Sequence, residues 1–370
     1  MAEADEILLD RSGGVASLTI NRPRALNALT LANYRRIAPA LAAWAADPGV
    51  RAVIVRGAGG RAFCAGGDVR AVYEAGRGIK GDPDLPRIFF AEEYRLIRDI
   101  HHFPKPYLAI IDGITMGGGA GISVNSTYRI ATERTMFAMP ETAIGLFPDV
   151  GATRFLNRCP GRIGCYLGLT GARVTAADAL YCGFATHFLP QDRVEPLLAA
   201  LTATEWQAGA EFAQTDRLLT EFATDPGPAS LAPLRPAIDR CFAGETIEAI
   251  LAALAAEAAA GGADAAWAAA TRAGLLTKSP TSLKVTLRQL TLGHDYDVEQ
   301  ALQLEYRLAQ HFMAAHDFYE GVRAVLIDKD QKPRWQPPSL AALDGAAVAA
   351  YFTPLTDREL AFDTGVTKSV

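Results

Sequence analysis

Short apolar runs alternate with helical-period segments along the first half of the chain. Residues 15–20, 52–55 and 107–111 are rich in β-branched and aliphatic side chains and end in turn formers, which predicts buried strands. Residues 128–131 and 184–188 are further candidate strands. Between them, residues 30–46 and 89–101 carry apolar positions at helical spacing, so strand and helix alternate as in an α/β layered fold. From about Val194 the pattern changes to Ala/Leu/Glu-rich helical stretches at 247–260, 298–316 and 341–351, with almost no strand signal. This predicts a catalytic core over 1–195 and a helical region over 196–370 that packs, covers the pocket or makes subunit contacts. Residues 74–86 hold three Gly, two Pro and mixed charges, and read as a long surface loop of the kind that serves as a lid or binding loop.

Composition narrows the function classes. Half the residues are hydrophobic and 21% are charged, an ordinary globular mixture. Thirty-six basic against 41 acidic residues leave a net charge of −5, with no dense Lys/Arg block to track a phosphate backbone, so no nucleic-acid partner is expected. The five cysteines form no CxxC pair and the six histidines no HxxxH spacing, so neither a disulfide framework nor a metal site is expected. The most apolar long stretch, 250–270, is interrupted by Glu257, Gly261, Gly262 and Asp264, which favours a helical pair over a membrane span. The acidic start, MAEADEILLD, lacks both an apolar signal core and a transit-peptide composition, and reads as cytoplasmic.

Three segments carry candidate chemistry. Gly57–Ala62 follows a strand and formally fits a dinucleotide GxGxxG/A pattern. The chain then runs on through 63–68 before any helical period starts, unlike a Rossmann turn. Residues 64–68 (CAGGD) and 116–121 (MGGGAG) each follow a strand and precede a helical run, so each can present backbone N–H groups near a helix start. Two such donors, fixed in advance, form an oxyanion hole, and one of them is typically worth about 3–4 kcal/mol in a transition state. Residues 139–151 (MPETAIGLFPDVG) place Glu141 and Asp149 on a turning segment among apolar side chains. Such company favours the neutral acid, and a neighbouring carboxylate splits the two titrations.

Residues 21–29 (NRPRALNAL), 63–68 (FCAGGD), 113–119 (GITMGGG) and 139–151 together resemble the crotonase (enoyl-CoA hydratase/isomerase) superfamily. Within it, the match is to the 3-hydroxyisobutyryl-CoA hydrolases, which residues 279–284 (SPTSLK) and 316–330 (HDFYEGVRAVLIDKD) extend to the C-terminal part. The resemblance implies a spiral of repeated ββα turns with a C-terminal helical region, and a substrate thioester carried on coenzyme A. It implies no cofactor beyond the coenzyme A of the substrate, no metal and no redox group, and members that often self-associate. The backbone N–H groups of Gly67 and Gly118 would be the oxyanion donors. Arg24, Ala25 and Leu26 would lie along the coenzyme A arm, Arg24 near its phosphates, while Ala65, Gly66 and Asp68 line the pantetheine path. Glu93 matches a substrate-contacting acid.

One departure from the hydratase pattern separates relatives. Hydratases pair an acid shortly after the glycine triplet with the acid of the PE motif; here the first position is Gly121, only Glu141 remains, and Asp149 stands where hydratases carry a small residue. The resemblance therefore implies hydrolysis of 3-hydroxyisobutyryl-CoA, a step of valine breakdown, with Glu141 as nucleophile or general base and Asp149 steering the substrate hydroxyl or the water. The alternatives are a hydratase or isomerase and a non-catalytic acyl-CoA-binding protein.

Overall fold

The computed structural model describes residues 5–356 and 358–362. The first four residues of the acidic start, Asp357 and the last eight residues of the predicted helical region lie outside the described residues.

β1 (Ile7–Ser12) and β2 (Val15–Ile20) form an antiparallel hairpin, and α1 (Leu31–Ala46) follows. Thr30 and Asn33 begin α1 as a reciprocal capping box. The chain then winds as a spiral. Each turn lays one strand in a large sheet, one in a small sheet, and returns through helix. β3 (Ala52–Gly57), β4 (Ala62–Cys64), α2 (Val69–Gly76) and α3 (Leu85–His101) make the first turn. β5 (Tyr107–Ile111), β6 (Ile114–Met116) and α4 (Gly118–Val124) make the second. β7 (Tyr128–Ala131), β8 (Met136–Ala138), α5 (Ala152–Phe155), α6 (Ile163–Thr170) and α7 (Ala176–Tyr181) make the third, and β9 (His187–Phe188) closes it. The large sheet runs β1-β2-β3-β5-β7-β9 and the small one β4-β6-β8, all parallel after the hairpin.

Central strands of a parallel sheet are covered on both faces and therefore read as continuous apolar runs. In β3 the two faces separate: Val53 and Val55 join the core inside the spiral, and Ala52 and Ile54 join a second cluster on the outer face. Leu197 and Leu201 of α8 (Val194–Ala203) and Leu219 of α9 (Glu211–Phe222) cover that outer face. The regular elements that follow among the described residues are helices: α10 (Leu231–Cys241), α11 (Ile247–Ala260), α12 (Ala265–Leu275), α13 (Pro280–Leu292), α14 (Val298–Met313), α15 (Asp317–Val322) and α16 (Gly345–Ala350). α14 packs along α3, and α13 against α6, so the inner core continues into this half. Among the described residues no helix is long and apolar enough to cross a membrane.

Several predicted elements differ in extent. Of 184–188 only two residues are strand, because Gly183 takes a positive φ of 77° and Ala179 O accepts the N–H groups of Phe184 and Ala185, folding them back onto α7. The run 298–316 is helix only as far as Met313, and α15 starts just past it at Asp317. In 341–351, Asp344 caps a shorter α16. The loop between α2 and α3 is trimmed at both ends by those helices, with Pro86 inside the first turn of α3, where its missing N–H costs nothing.

Candidate active site

The three strands of the small sheet end side by side, and each is followed directly by one candidate motif: Gly66-Gly67 after β4, Gly117-Gly118 after β6, Pro140-Glu141 after β8. Residues 26–29 run beside the first turn. Leu26 O accepts from Ala65 N (3.0 Å), Gly66 O from Leu29 N (2.9 Å) and Leu29 O from Asp68 N (2.8 Å). This parallel bridge directs the N–H of Gly67 away from the 26–29 segment. Gly118 is the first residue of α4, so its N–H has no partner within the helix. The two turns face each other: a Cβ on Gly118 would stand 3.2 Å from Gly67 N. Gly117, at φ 48° and ψ −123°, holds a backbone shape open to glycine alone, and thereby sets the start of α4.

Glu141 opens a short 3-10 turn, Glu141–Ile144, which Gly145 closes at φ 70° with Leu146 N bonded to Glu141 O. Its Oε1 lies against the second glycine turn, 3.3 Å from where a Cβ of Gly117 would be. Its Oε2 is buried with no hydrogen-bond partner among the described residues. An unmet buried oxygen costs about 1–3 kcal/mol, so this is an expensive place for a carboxyl group unless it has work to do there. Asp149 follows on the same segment, buried, and accepts from Tyr94 Oη at 2.7 Å. Glu93, also buried, projects from α3 and accepts from Tyr34 Oη at 2.5 Å. A cavity of ≈ 100 Å³ is bounded by Gly67, Gly118, Glu93, Glu141, Asp149 and apolar side chains including Phe90 and Leu146. That is room for a few water-sized groups, hence for a short acyl chain.

Burial dominates the electrostatics. It pushes Glu141 well above the ordinary carboxylate range, and the charge of Asp149 pushes it further, with smaller contributions from Glu93 and Glu305. Glu93 is raised by the same two causes, against the hydrogen bond from Tyr34. Asp149 is raised by burial to about 6, opposed by the hydrogen bond from Tyr94. At neutral pH Asp149 is thus the readiest of the three to carry charge, and its charge holds a proton on its neighbours.

The other predicted residues divide. Ala65 and Gly66 line the cavity. Leu26 and Ala25 belong to the turn that braces the first glycine motif, and Arg24 projects exposed from it. Asp68 does not face the cavity: its carboxylate caps α2 at Ala71 N and pairs with Arg22 at 3.3 Å, because it sits at the helix start just past the turn. Gly121 has no room for a side chain, since a Cβ there would stand 2.7 Å from Ile97 Cδ1 and 2.8 Å from Val150 Cβ.

Sequence reasoning missed the supports from the C-terminal half. Glu305 on α14 accepts from Gly151 N (2.7 Å) and Thr153 N (2.8 Å), and Gln289 on α13 donates to Pro148 O (2.7 Å). Burial raises Glu305 to about 8 against these same backbone bonds. Asp317 O and Ile144 O lie so close to Gly145 and Gly321, respectively, that only glycines let α15 dock on the Glu141 turn. A Glu and a Gln on amphipathic helices resemble ordinary surface residues, so only the Gly-containing 316–330 motif gave a signal.

Known proteins share this fold. The chain matches the family described as enoyl-CoA hydratase/isomerase over residues 15–352. It is 46% identical over 355 residues to the protein named 3-hydroxyisobutyryl-CoA hydrolase, mitochondrial, of Xenopus laevis, covering 95% of this chain and 90% of that one. It is 42% identical over 362 residues to the Homo sapiens protein of the same name, covering 97% and 91%. Among solved structures, a carnitinyl-CoA dehydratase from Mycobacterium thermoresistibile superposes with a TM-score of 0.88 at 40% identity, covering 97% of this chain and 99% of that one. An enoyl-CoA hydratase from Rhodobacter sphaeroides 2.4.1 does so with a TM-score of 0.86 at 38% identity, covering 97% and 100%. The expected cytoplasmic location is corrected by the relatives, whose names place them in the mitochondrion. With the ββα spiral, the paired glycine turns and a family match across most of its length, the chain belongs to the enoyl-CoA hydratase/isomerase family.

Proposed function

We propose that the protein hydrolyses 3-hydroxyisobutyryl-CoA, a short branched β-hydroxyacyl thioester, to the free acid and coenzyme A. The observation that carries this reading is a buried acid, Glu141, whose Oε2 has no partner among the described residues and which lies against the glycine turns with Asp149 beside it, while Val150 and Ile97 deny a second acid at Gly121. Hydration in the family's two-acid manner needs that second acid; thioester cleavage does not. The names of the Xenopus and human relatives support the substrate.

In this reading the spiral, within the predicted core 1–195, brings the reacting groups together, and α13, α14 and α15 of the helical region brace them. The acyl group enters the cavity, and its carbonyl oxygen sits between the N–H groups of Gly67 and Gly118, which stabilise the negative charge that builds there. Glu141 attacks the carbonyl carbon as a carboxylate, forming a mixed anhydride as the C–S bond breaks, and water then cleaves that anhydride and restores the carboxylate; or Glu141 removes a proton from a water that attacks the carbonyl directly and passes it to the departing sulfur. The sulfur of coenzyme A leaves as the thiol, and water supplies the acid's new oxygen. Asp149 and Glu93 accept or donate hydrogen bonds at the substrate hydroxyl and the water. Arg24, exposed beside the first turn, meets the coenzyme A phosphates, with Ala25, Leu26, Ala65 and Gly66 along the arm. Every step uses groups of this chain, the thioester and water.

The test is free-thiol release from 3-hydroxyisobutyryl-, 3-hydroxypropionyl- and crotonyl-CoA, with loss of the crotonyl double bond followed in parallel. The expected result is fastest thiol release from 3-hydroxyisobutyryl-CoA. Hydration of crotonyl-CoA without thiol release would establish the hydratase reading instead.

A further inference from the structure

The chain turns sharply just after Asp149, and it does so at a cost. Val150 takes a φ of 58°, a left-handed conformation that a β-branched side chain adopts only under strain, and Gly151 follows at φ 91°. Strain of that kind persists only where the surroundings over-determine it. Here three buried side chains do so. Gln289 holds Pro148 O, Asn125 holds Val150 O (3.0 Å), and Glu305 takes the N–H groups of both Gly151 and Thr153. Glu305 is the ionisable member of the three and is fully buried. It spans more than 150 residues of sequence and lies outside the cavity lining. Tyr306, its neighbour on α14, packs edge-on against Tyr94, whose hydroxyl holds the Asp149 carboxylate.

We propose that Glu305 is the positioning residue for Asp149, fixing from α14 the strained backbone that aims this carboxylate at the acyl cavity. The inference rests on the hydrolase reading above and extends it to a residue that touches no reacting atom. A carboxyl group offers an acceptor oxygen to each of the two N–H donors; an amide offers one oxygen and turns a second donor toward the other N–H. Glu305→Gln therefore releases one anchor while conserving shape.

The experiment is a double-mutant cycle on kcat/KM for thiol release from 3-hydroxyisobutyryl-CoA, with wild type, Glu305→Gln, Asp149→Asn and the pair. Glu305→Gln alone is expected to lose about 10- to 100-fold, the scale of a small misplacement in an active site. In the Asp149→Asn background the same substitution is expected to change the rate by less than about twofold, because the group it positions is already gone. Equal losses in both backgrounds, or no loss in the first, would overturn the proposal. Failure of the wild type to release thiol would overturn the hydrolase reading instead. If Glu305→Gln yields too little folded protein by circular dichroism, Glu305→Asp replaces it in the same cycle, with the same two outcomes.

Discussion

Glu93, Glu141 and Asp149 share one buried hollow, and three carboxyl groups so placed do not all ionise at neutral pH. Glu141 must be a carboxylate in either form of the proposed mechanism, yet burial and the charge of Asp149 hold it well above the ordinary range. The sign follows. A base with a raised pKa is active above that value and loses activity as pH falls through it, so the acidic limb of kcat/KM lies above the usual carboxylate pKa of about 4.3. Asp149→Asn removes the nearby charge, leaving Glu93 and Glu305 as the remaining acids around Glu141, and is expected to move that limb to lower pH. Rates measured from about pH 5 to pH 9 check this; a limb that does not move shows that the Asp149 charge does not hold the proton. Glu141 and Asp149 were legible as a pair because two prolines and Gly145 forbid a helix between them. What the residues alone could not give was their company: Glu93 lies at helical spacing from Phe89, Phe90 and Ile97 on the buried face of α3, and the fold supplies its partner there, Tyr34.

At the scale of elements, the long strands were legible and the decisive ones were not. β5 and β7 stand where their β-branched runs predicted, and β3 extends its run by two residues. β4, β6 and β8 have three residues each, too few for any period to show, yet their parallel ends bring the three motifs into one place. Each motif was therefore readable, while the means of convergence came from the resemblance. The docking of α15 on the Glu141 turn makes a testable point about such convergence. A Cβ on Gly145 would stand 2.1 Å from Asp317 O, at a backbone φ of 70° that side chains resist. Gly145→Ala is expected to destabilise the protein by more than about 1 kcal/mol, from the conformation and the clash together. Chemical denaturation measures it, and an unchanged midpoint would show that α15 and the turn do not meet this closely.

Across the whole molecule, the helical half braces from behind the site that the spiral lines. The composition change near Val194 marks where strands stop, and α8 begins at that residue, but the inner core runs through both halves. Gln and Glu positions on amphipathic helices say little about partners far away in sequence, which is why the bracing by Gln289 and Glu305 was invisible before the chain was folded. The spiral sets two backbone donors opposite one acid, and the helices keep the second acid aimed. The most direct measurement is single-substrate kinetics of thiol release from 3-hydroxyisobutyryl-CoA by wild type and Glu141→Gln side by side. A fall in kcat of about 100-fold or more, with KM changed by less than about threefold, is the predicted result for a group that acts in the transition state. Undiminished turnover by Glu141→Gln would contradict it.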